Sequence, residues 1–124
     1  MNNRGQSLVT FVLIVPIVFL VIIMTYDVGR MVLLKKELNN INDIAINYGL
    51  DNITDENIVQ KIEDLIYKNK EELDNVNVYF EEDKLHIMIE DSFKTKMSLS
   101  NIFKVKSSYV GYMDNDKKKI ERNR

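Results

Sequence analysis

The chain of 124 residues has no cysteine, no tryptophan and a single histidine, His86. The lack of cysteine excludes disulfide scaffolds, thiol redox chemistry, iron–sulfur clusters and zinc ribbons, and one histidine cannot form a multi-histidine metal site. The GxSxG, HExxH, GxGxxG and P-loop motifs are also missing from the sequence. We therefore expect a non-enzymatic protein with no cofactor and no bound metal, built as one small domain with an appended segment.

Charge is segregated along the chain, although the net charge is only −2. Residues 1–36 carry a net +3, residues 37–91 carry four Lys against fifteen Asp and Glu, and residues 92–124 carry nine Lys and Arg against three acids. A solvated surface is the ordinary interpretation, and attraction within one molecule or head to tail between neighbours is the alternative. The negative total and the lack of a recognisable module argue against nucleic-acid binding.

The longest uncharged stretch is LVTFVLIVPIVFLVIIM, over residues 8–24. With the next two residues it is long enough to cross a hydrocarbon core of about 30 Å as a helix. A cleaved secretory signal fits less well, because the run passes through Tyr26 without a small-residue cleavage site. Pro16 removes one backbone hydrogen bond, which membrane helices tolerate. The sequence predicts one span over residues 8–26, and the flanking charges do not favour either orientation.

Apolar residues continue at heptad spacing after the predicted span. They are Met31, Leu34, Leu38, Ile41, Ala45 and Tyr48. This spacing predicts one unbroken helix from near Leu8 to Tyr48, with Gly49 as its C-terminal cap. Two heptads are too few for a coiled coil, so we expect the stripe to pack against the chain's own C-terminal domain. The membrane helix would then also be the spine of that domain.

The remainder predicts a second helix and a small sheet. Thr54 is the expected N-cap of an amphipathic helix that ends at about Leu73. The apolar period then changes to two, which predicts a hairpin over residues 76–89 with its turn at Glu82 and Asp83, a second strand that continues towards Met97, and a third strand over residues 103–112. Residues 113–124 have too little apolar content to fold alone and are expected to be a mobile basic tail. The predicted fold class is α+β, with a three-stranded antiparallel sheet covered by two helices.

Three features near the N-terminus occur in combination: Arg4-Gly5, the apolar run with Pro16, and the exit sequence YDVGR over residues 26–30. In this order and spacing, residues 4 to 49 resemble the TadE/TadG-like minor pilins, or pseudopilins, of tight-adherence type IV pili. The resemblance implies a leader, residues 1–5, that a prepilin peptidase cuts between Gly5 and Gln6. It also implies a cytoplasmic N-terminus, a long helix over residues 6–49 and an exported domain over residues 50–112.

The resemblance further implies partners and contact residues. The partners would be other pilin-like subunits, the assembly platform, the prepilin peptidase and membrane lipid. Thr10 occupies the fifth mature position, where the family usually has glutamate to balance a neighbour's amino terminus. Because a buried ammonium without its counter-charge costs several kcal/mol, Thr10 suits a minor subunit at a tip or in an initiating complex. Subunit association would involve Thr10, Pro16, Asp27, Gly29 and Arg30.

Several of these residues have a simpler interpretation. Asp27 and Arg30 are three residues apart on one helix, so they are either a charge site for a neighbouring subunit or a local pair worth at most about 0.5 kcal/mol. Gly29 either permits close helix approach or is a tolerated helix glycine. An unprocessed single-pass membrane scaffold with an extracytoplasmic binding domain is the alternative to a pilin.

Four lysines share the outward parity of the second and third predicted strands. They are Lys94, Lys96, Lys104 and Lys106. This ridge could bind a polyanion or an acidic neighbour, such as the turn at residues 81–83. The favoured interpretation is a soluble face that also protects the sheet from edge pairing.

Overall fold

The computed structural model describes residues 3–94 and 102–123, and it confirms the predicted α+β class. The elements in chain order are α1 (Asn3–Asp51), α2 (Ile58–Asn69), β1 (Asn75–Glu81), β2 (Lys84–Lys94), β3 (Ile102–Asp114) and β4 (Lys117–Asn123). The four strands form one antiparallel sheet in the order β1-β2-β3-β4. The sheet therefore has one strand more than the three that the sequence predicts.

Helix α1 is a single unbroken element of 49 residues, about 73 Å long at 1.5 Å per residue. Its first half projects away from the domain, and its second half packs on β2 and β3, with α2 beside it against β1. The buried apolar side chains of this second half are Leu38, Ile41, Ala45, Ile46 and Leu50. Of the stripe predicted after the span, Leu38, Ile41 and Ala45 lie in the core, Leu34 and Tyr48 pack against it while partly exposed, and Met31 is exposed. Helix α1 is thus the spine of the domain.

Gly49 does not end the helix as predicted, because α1 continues to Asp51. A Cβ atom at position 49 would lie 2.5 Å from Leu85 Cδ2 and 2.7 Å from Ile62 Cδ1. The glycine is therefore required where α1 approaches both α2 and β2 closely, which is a packing role that a lone glycine near a predicted helix end does not reveal.

The predicted amphipathic second helix is present, but its limits differ from those expected. It begins after Asn57, which makes no side-chain capping bond, so the predicted cap at Thr54 is wrong. Asp55 orders the preceding turn instead: its Oδ1 accepts the backbone N–H of Asn57 at 2.9 Å, and its carboxylate pairs with Lys61. The helix ends at Asn69, four residues before Leu73. The buried residues Ile58, Ile62 and Ile66 follow a four-residue spacing, which confirms the amphipathic pattern.

The predicted hairpin is confirmed, with its turn at Glu82 and Asp83. Both residues have positive φ, 52° and 63°, as a two-residue hairpin loop of type I′ requires. Strand β2 then extends through Asp91 to Lys94, and the predicted continuation to Met97 lies outside the described residues. Strand β3 contains the predicted third strand and is longer by one residue at its start and two at its end.

Residues 117–123, expected to be part of a mobile tail, form β4 and pair with β3. The inward side chains of β4 are Lys118, Ile120 and Arg122. Lys118 Nζ lies 2.5 Å from Asp51 Oδ1, and Arg122 Nη2 lies 2.9 Å from Asp43 Oδ1. Eight residues of helix span about 12 Å and four residues of strand about 13 Å, so the two pairs are in register. The attraction between the acidic middle and the basic end is thus made within one molecule here.

A buried polar group joins α1 to the sheet. Asn42, which is fully buried, donates through Nδ2 to the carbonyl oxygens of Ile87 (3.2 Å) and Ser107 (3.3 Å) and to Ser107 Oγ (3.2 Å). Ser107 Oγ in turn donates to Asn39 Oδ1 at 2.7 Å. These bonds fix the position of α1 along β2 and β3, because a shift of the helix would leave several buried polar atoms without partners.

Candidate functional site

The first half of α1 is an exposed apolar surface. Its exposed apolar side chains from Leu8 to Met24 have 47–65 % of their surface accessible. By length and composition, this helix could cross a membrane. No part of its most apolar stretch is buried against the domain. An exposed apolar surface of this length is unfavourable in water, which agrees with a helix that could span a membrane.

Polar groups within this apolar half are bonded inside the helix. Thr10 Oγ1 donates to the carbonyl oxygen of Gln6 at 2.9 Å, and Thr25 Oγ1 donates to that of Val21 at 2.8 Å. The helix continues through Pro16, which lacks an N–H, so the carbonyl four residues earlier loses its usual donor. The Thr10 hydroxyl is thus engaged locally and carries no charge for a neighbouring amino terminus.

The exit sequence at residues 26–30 is the joint between the apolar half of α1 and the domain. Arg30 turns towards the end of β2: its Nη1 donates to the carbonyl oxygen of Lys94 at 3.4 Å, and its Cζ lies 4.8 Å from the ring centre of Phe93. The same guanidinium lies 5.9 Å from the ring of Tyr26. Asp27 has only 7 % of its surface accessible. Both charged residues of the predicted association motif therefore lie against their own domain.

Gly29 faces open space, unlike Asp27 and Arg30 of the same exit sequence. A Cβ atom at Gly29 would meet no atom of the described residues within 4 Å, and the same is true at Gly5. Neither glycine is required by packing inside the subunit, in contrast to Gly49. Gly29 thus leaves room for close approach by another helix just outside the span.

The predicted lysine ridge lies at the end of the sheet nearest the span. Lys94, Lys104 and Lys106 are exposed on the outer face, away from α1, and Lys96 lies outside the described residues. Lys104 Nζ is 4.0 Å from Glu90 Oε1. The acidic hairpin turn at residues 81–83 is at the opposite end of the same sheet, so the ridge cannot meet that turn of its own subunit.

Lys35, which is not part of the predicted ridge, adds a cation beside it. Its ammonium contacts the carbonyl oxygen of Lys106. Partial burial lowers the pKa of Lys35, and the nearby charge of Lys106 lowers it further. Lys35 and Lys36, nine and ten residues beyond the predicted span, were the sequence signal for a basic surface beside the ridge.

A second charged cluster is structural in character. Lys70 Nζ, just after α2, lies 2.9 Å from Asp91 Oδ2 on β2 and 3.2 Å from Glu37 Oε2 on α1. Burial lowers the pKa of Lys70, but the hydrogen bonds and charges of the two carboxylates together raise it above its ordinary value. Across residues 3–94 and 102–123, no group of three or more His, Cys, Asp or Glu side chains is arranged to hold a metal ion.

Comparisons of the chain with protein-family models, with curated proteins and with solved structures found no match. The molecule combines three features that bear on function: an exposed apolar half-helix, an α+β head on the same helix, and a basic sheet end at the junction.

Proposed function

We propose that this protein is a minor pilin or pseudopilin subunit of a tight-adherence type IV pilus or a related secretion assembly. It acts by association of its N-terminal helix with those of other pilin-like subunits, with its N-terminus in the cytoplasm and its α+β domain outside. The observation that supports this proposal most is the continuity of α1, whose apolar first half is exposed while its second half is the core of the head.

This arrangement suits a protein that moves between a bilayer and an assembly. Lipid tails and apolar helices are solvents of similar polarity, so the exposed half of α1 can exchange one for the other with little change in free energy. Gly29, open on the helix surface, allows a neighbouring helix to approach at the membrane boundary. Assembly is then directed by shape and charge at the junction, and by the assembly platform that receives the subunit.

Processing by a prepilin peptidase provides the test. The intact mass of the protein purified from cells with an active peptidase should correspond to loss of residues 1–5. A Gly5→Val variant should keep its full mass, because a branched side chain replaces the glycine at the cleavage site. Gly29→Ala is the matched control, since that glycine is equally open but lies outside the cleavage site, and it should be cleaved like the wild type. Wild-type protein of full mass in such cells would contradict the pilin proposal.

The second candidate function is an unprocessed single-pass scaffold with an extracytoplasmic binding domain. Thr10 favours it, because the hydroxyl is bonded to Gln6 and offers no charge to a neighbouring amino terminus. The scaffold predicts full-length mass together with a head that external protease can reach in spheroplasts. The pilin predicts the same accessibility with the shortened mass.

A further inference from the structure

We propose that the end of the sheet nearest the span is a second membrane-contact site, which binds the headgroups of anionic phospholipids. We call this surface the membrane-proximal edge and define it by Lys94, Ile102, Phe103, Lys104 and Lys106. The inference depends on the membrane span of the proposed function, but it does not depend on cleavage of the leader or on assembly into a pilus.

The position of Arg30 sets the height of the edge above the bilayer. Arg30 contacts both Phe93 and the carbonyl oxygen of Lys94, and these two residues pair with Phe103 and Ile102. Arg30 is four residues beyond the end of the predicted span at residue 26, which is about 6 Å along the helix. The polar interface on each side of a bilayer is about 5–7 Å thick, so the lower end of the edge, at Lys94, Ile102 and Phe103, lies at headgroup depth. Lys104 and Lys106 follow above it along β3.

The composition of the edge matches such an interface. Ile102 and Phe103 keep 56 % and 47 % of their surface accessible, although they lie at a strand end beside buried residues. The side chain of Lys104 is 73 % accessible, and Lys94 and Lys106 are exposed beside it on the outer face of the sheet. Apolar and aromatic side chains flanked by lysine are typical of surfaces that enter the headgroup region, where each lysine near an anionic surface increases binding roughly five-fold.

The geometry favours lipid over a second copy of the chain. The acidic turn at Glu82 and Asp83 is separated from Lys94 by the whole of β2, about 33 Å. Copies anchored by the same helix in one bilayer stand at the same height, so a neighbour's acidic turn lies far above the edge. The surface that each edge faces is the bilayer itself.

Tryptophan fluorescence of the full-length chain can test this contact, because the protein has no tryptophan of its own. Phe103→Trp reports on the edge, and Ile102→Trp serves if the first variant is not folded by circular dichroism. Leu20→Trp reports on the span, and Tyr79→Trp reports on the outer face far from the membrane. Each variant is reconstituted into phosphatidylcholine vesicles with or without phosphatidylglycerol, and emission is compared between ordinary and brominated lipids.

We expect brominated lipid to quench Leu20→Trp in both kinds of vesicle and Tyr79→Trp in neither. Phe103→Trp should be quenched, with a blue-shifted emission, when phosphatidylglycerol is present. Adding Lys94→Gln and Lys104→Gln should weaken this contact roughly 25-fold, at about five-fold per lysine, so that the quenching is largely lost.

Three results would overturn the inference while leaving the span intact. The first is that Phe103→Trp is not quenched although Leu20→Trp is. The second is that Phe103→Trp is quenched equally in neutral vesicles and the lysine substitutions do not change the quenching. The third is that the blue shift of Phe103→Trp depends on protein density and not on lipid charge. The last would indicate that a second copy covers the edge. An unquenched Leu20→Trp would instead contradict the membrane span of the proposed function.

Discussion

Replacing Asn42 by aspartate should destabilise the head strongly and in a pH-dependent manner. The two side chains have almost the same shape, so packing is unchanged. In the wild type, Asn42 Nδ2 faces the carbonyl oxygens of Ile87 and Ser107 at 3.2 and 3.3 Å, both of which accept hydrogen bonds. A carboxylate oxygen at that site would be a buried charge facing two acceptors. An uncompensated buried charge costs about 3–5 kcal/mol, which we expect as the loss of unfolding free energy at neutral pH.

The sign of the pH dependence follows from the same geometry. Burial and the two carbonyl oxygens raise the pKa of the introduced carboxyl in the folded state above its unfolded value of about 3.9. Below that value both states are protonated, and the acid proton can donate to one carbonyl, so the deficit is small. As the pH rises, the unfolded state ionises first, and the deficit grows by about 1.4 kcal/mol per pH unit until the folded-state pKa is reached.

Urea unfolding of the full-length protein in detergent, followed by circular dichroism between pH 4 and pH 8, measures this deficit. Asn40→Asp is the control, because Asn40 is exposed on the same helix two residues away, and it should change the unfolding free energy little at any pH. A deficit for Asn42→Asp that is below about 1 kcal/mol, or that is constant across this range, would refute the placement of α1 against β2 and β3.

Three further results are expected. Gly49→Val should lower the unfolding free energy by about 1–3 kcal/mol, because its added atoms collide with packed side chains. Gly29→Ala should raise helix stability by up to about 1 kcal/mol, because alanine is the better helix former. Urea titration compares the unfolding free energies of the two variants with that of the wild type. Lys70→Met should lower the unfolding free energy by about 1–3 kcal/mol at pH 7. Because the pKa of Lys70 is raised in the folded state, its stabilising contribution is present below the unfolded pKa and is lost above about pH 10.5. Alkaline unfolding scans should therefore show the difference between Lys70→Met and wild type shrinking above that pH. Arg122→Gln should reduce the hydrogen-exchange protection of β4 amides by about 0.2–1 kcal/mol and leave that of β1 unchanged. Equal loss in both strands would contradict a local stabilisation of β4 by the Arg122–Asp43 ion pair.

The parts of the fold that could be predicted were those in which one local signal dominates. The run over residues 8–24 and the heptad stripe after it predicted a single helix through span and core, because apolar spacing alone specifies both. The alternation around Glu82 and Asp83 predicted the hairpin without a glycine, since two polar residues between two alternating strands leave few other connections.

Strand β4 could not be predicted from its own composition. Among its seven residues only Ile120 is apolar, and its inward cations are meaningful only once α1 presents Asp43 and Asp51 at a matching distance. The limits of α2 were misjudged for a related reason. Thr54 has a capping hydroxyl, but the side chain of Asp55 accepts the backbone N–H of Asn57 and orders a turn there, so the helix begins only after Asn57.

The candidate site was predicted in part. The sequence indicated the lysine ridge and the exit sequence as candidate sites, but it did not show that they lie close together in space. Their proximity depends on the contact between Arg30 and Phe93, which are far apart in the chain. Spacing on one helix suggested a surface role for Asp27, whereas the structure covers this residue at the junction. A helical wheel cannot reveal which face a distant strand will cover.

We propose that one rigid helix runs from the lipid into the core of the head. Spin labels at Val12→Cys and Asn40→Cys test it directly, since both sites are exposed and the chain has no other cysteine. Double electron–electron resonance in vesicles should give a single narrow distance near 42 Å, which is 28 residues at 1.5 Å per residue. A broad distribution or a distance well below that value would show a break between span and head, and would contradict the account.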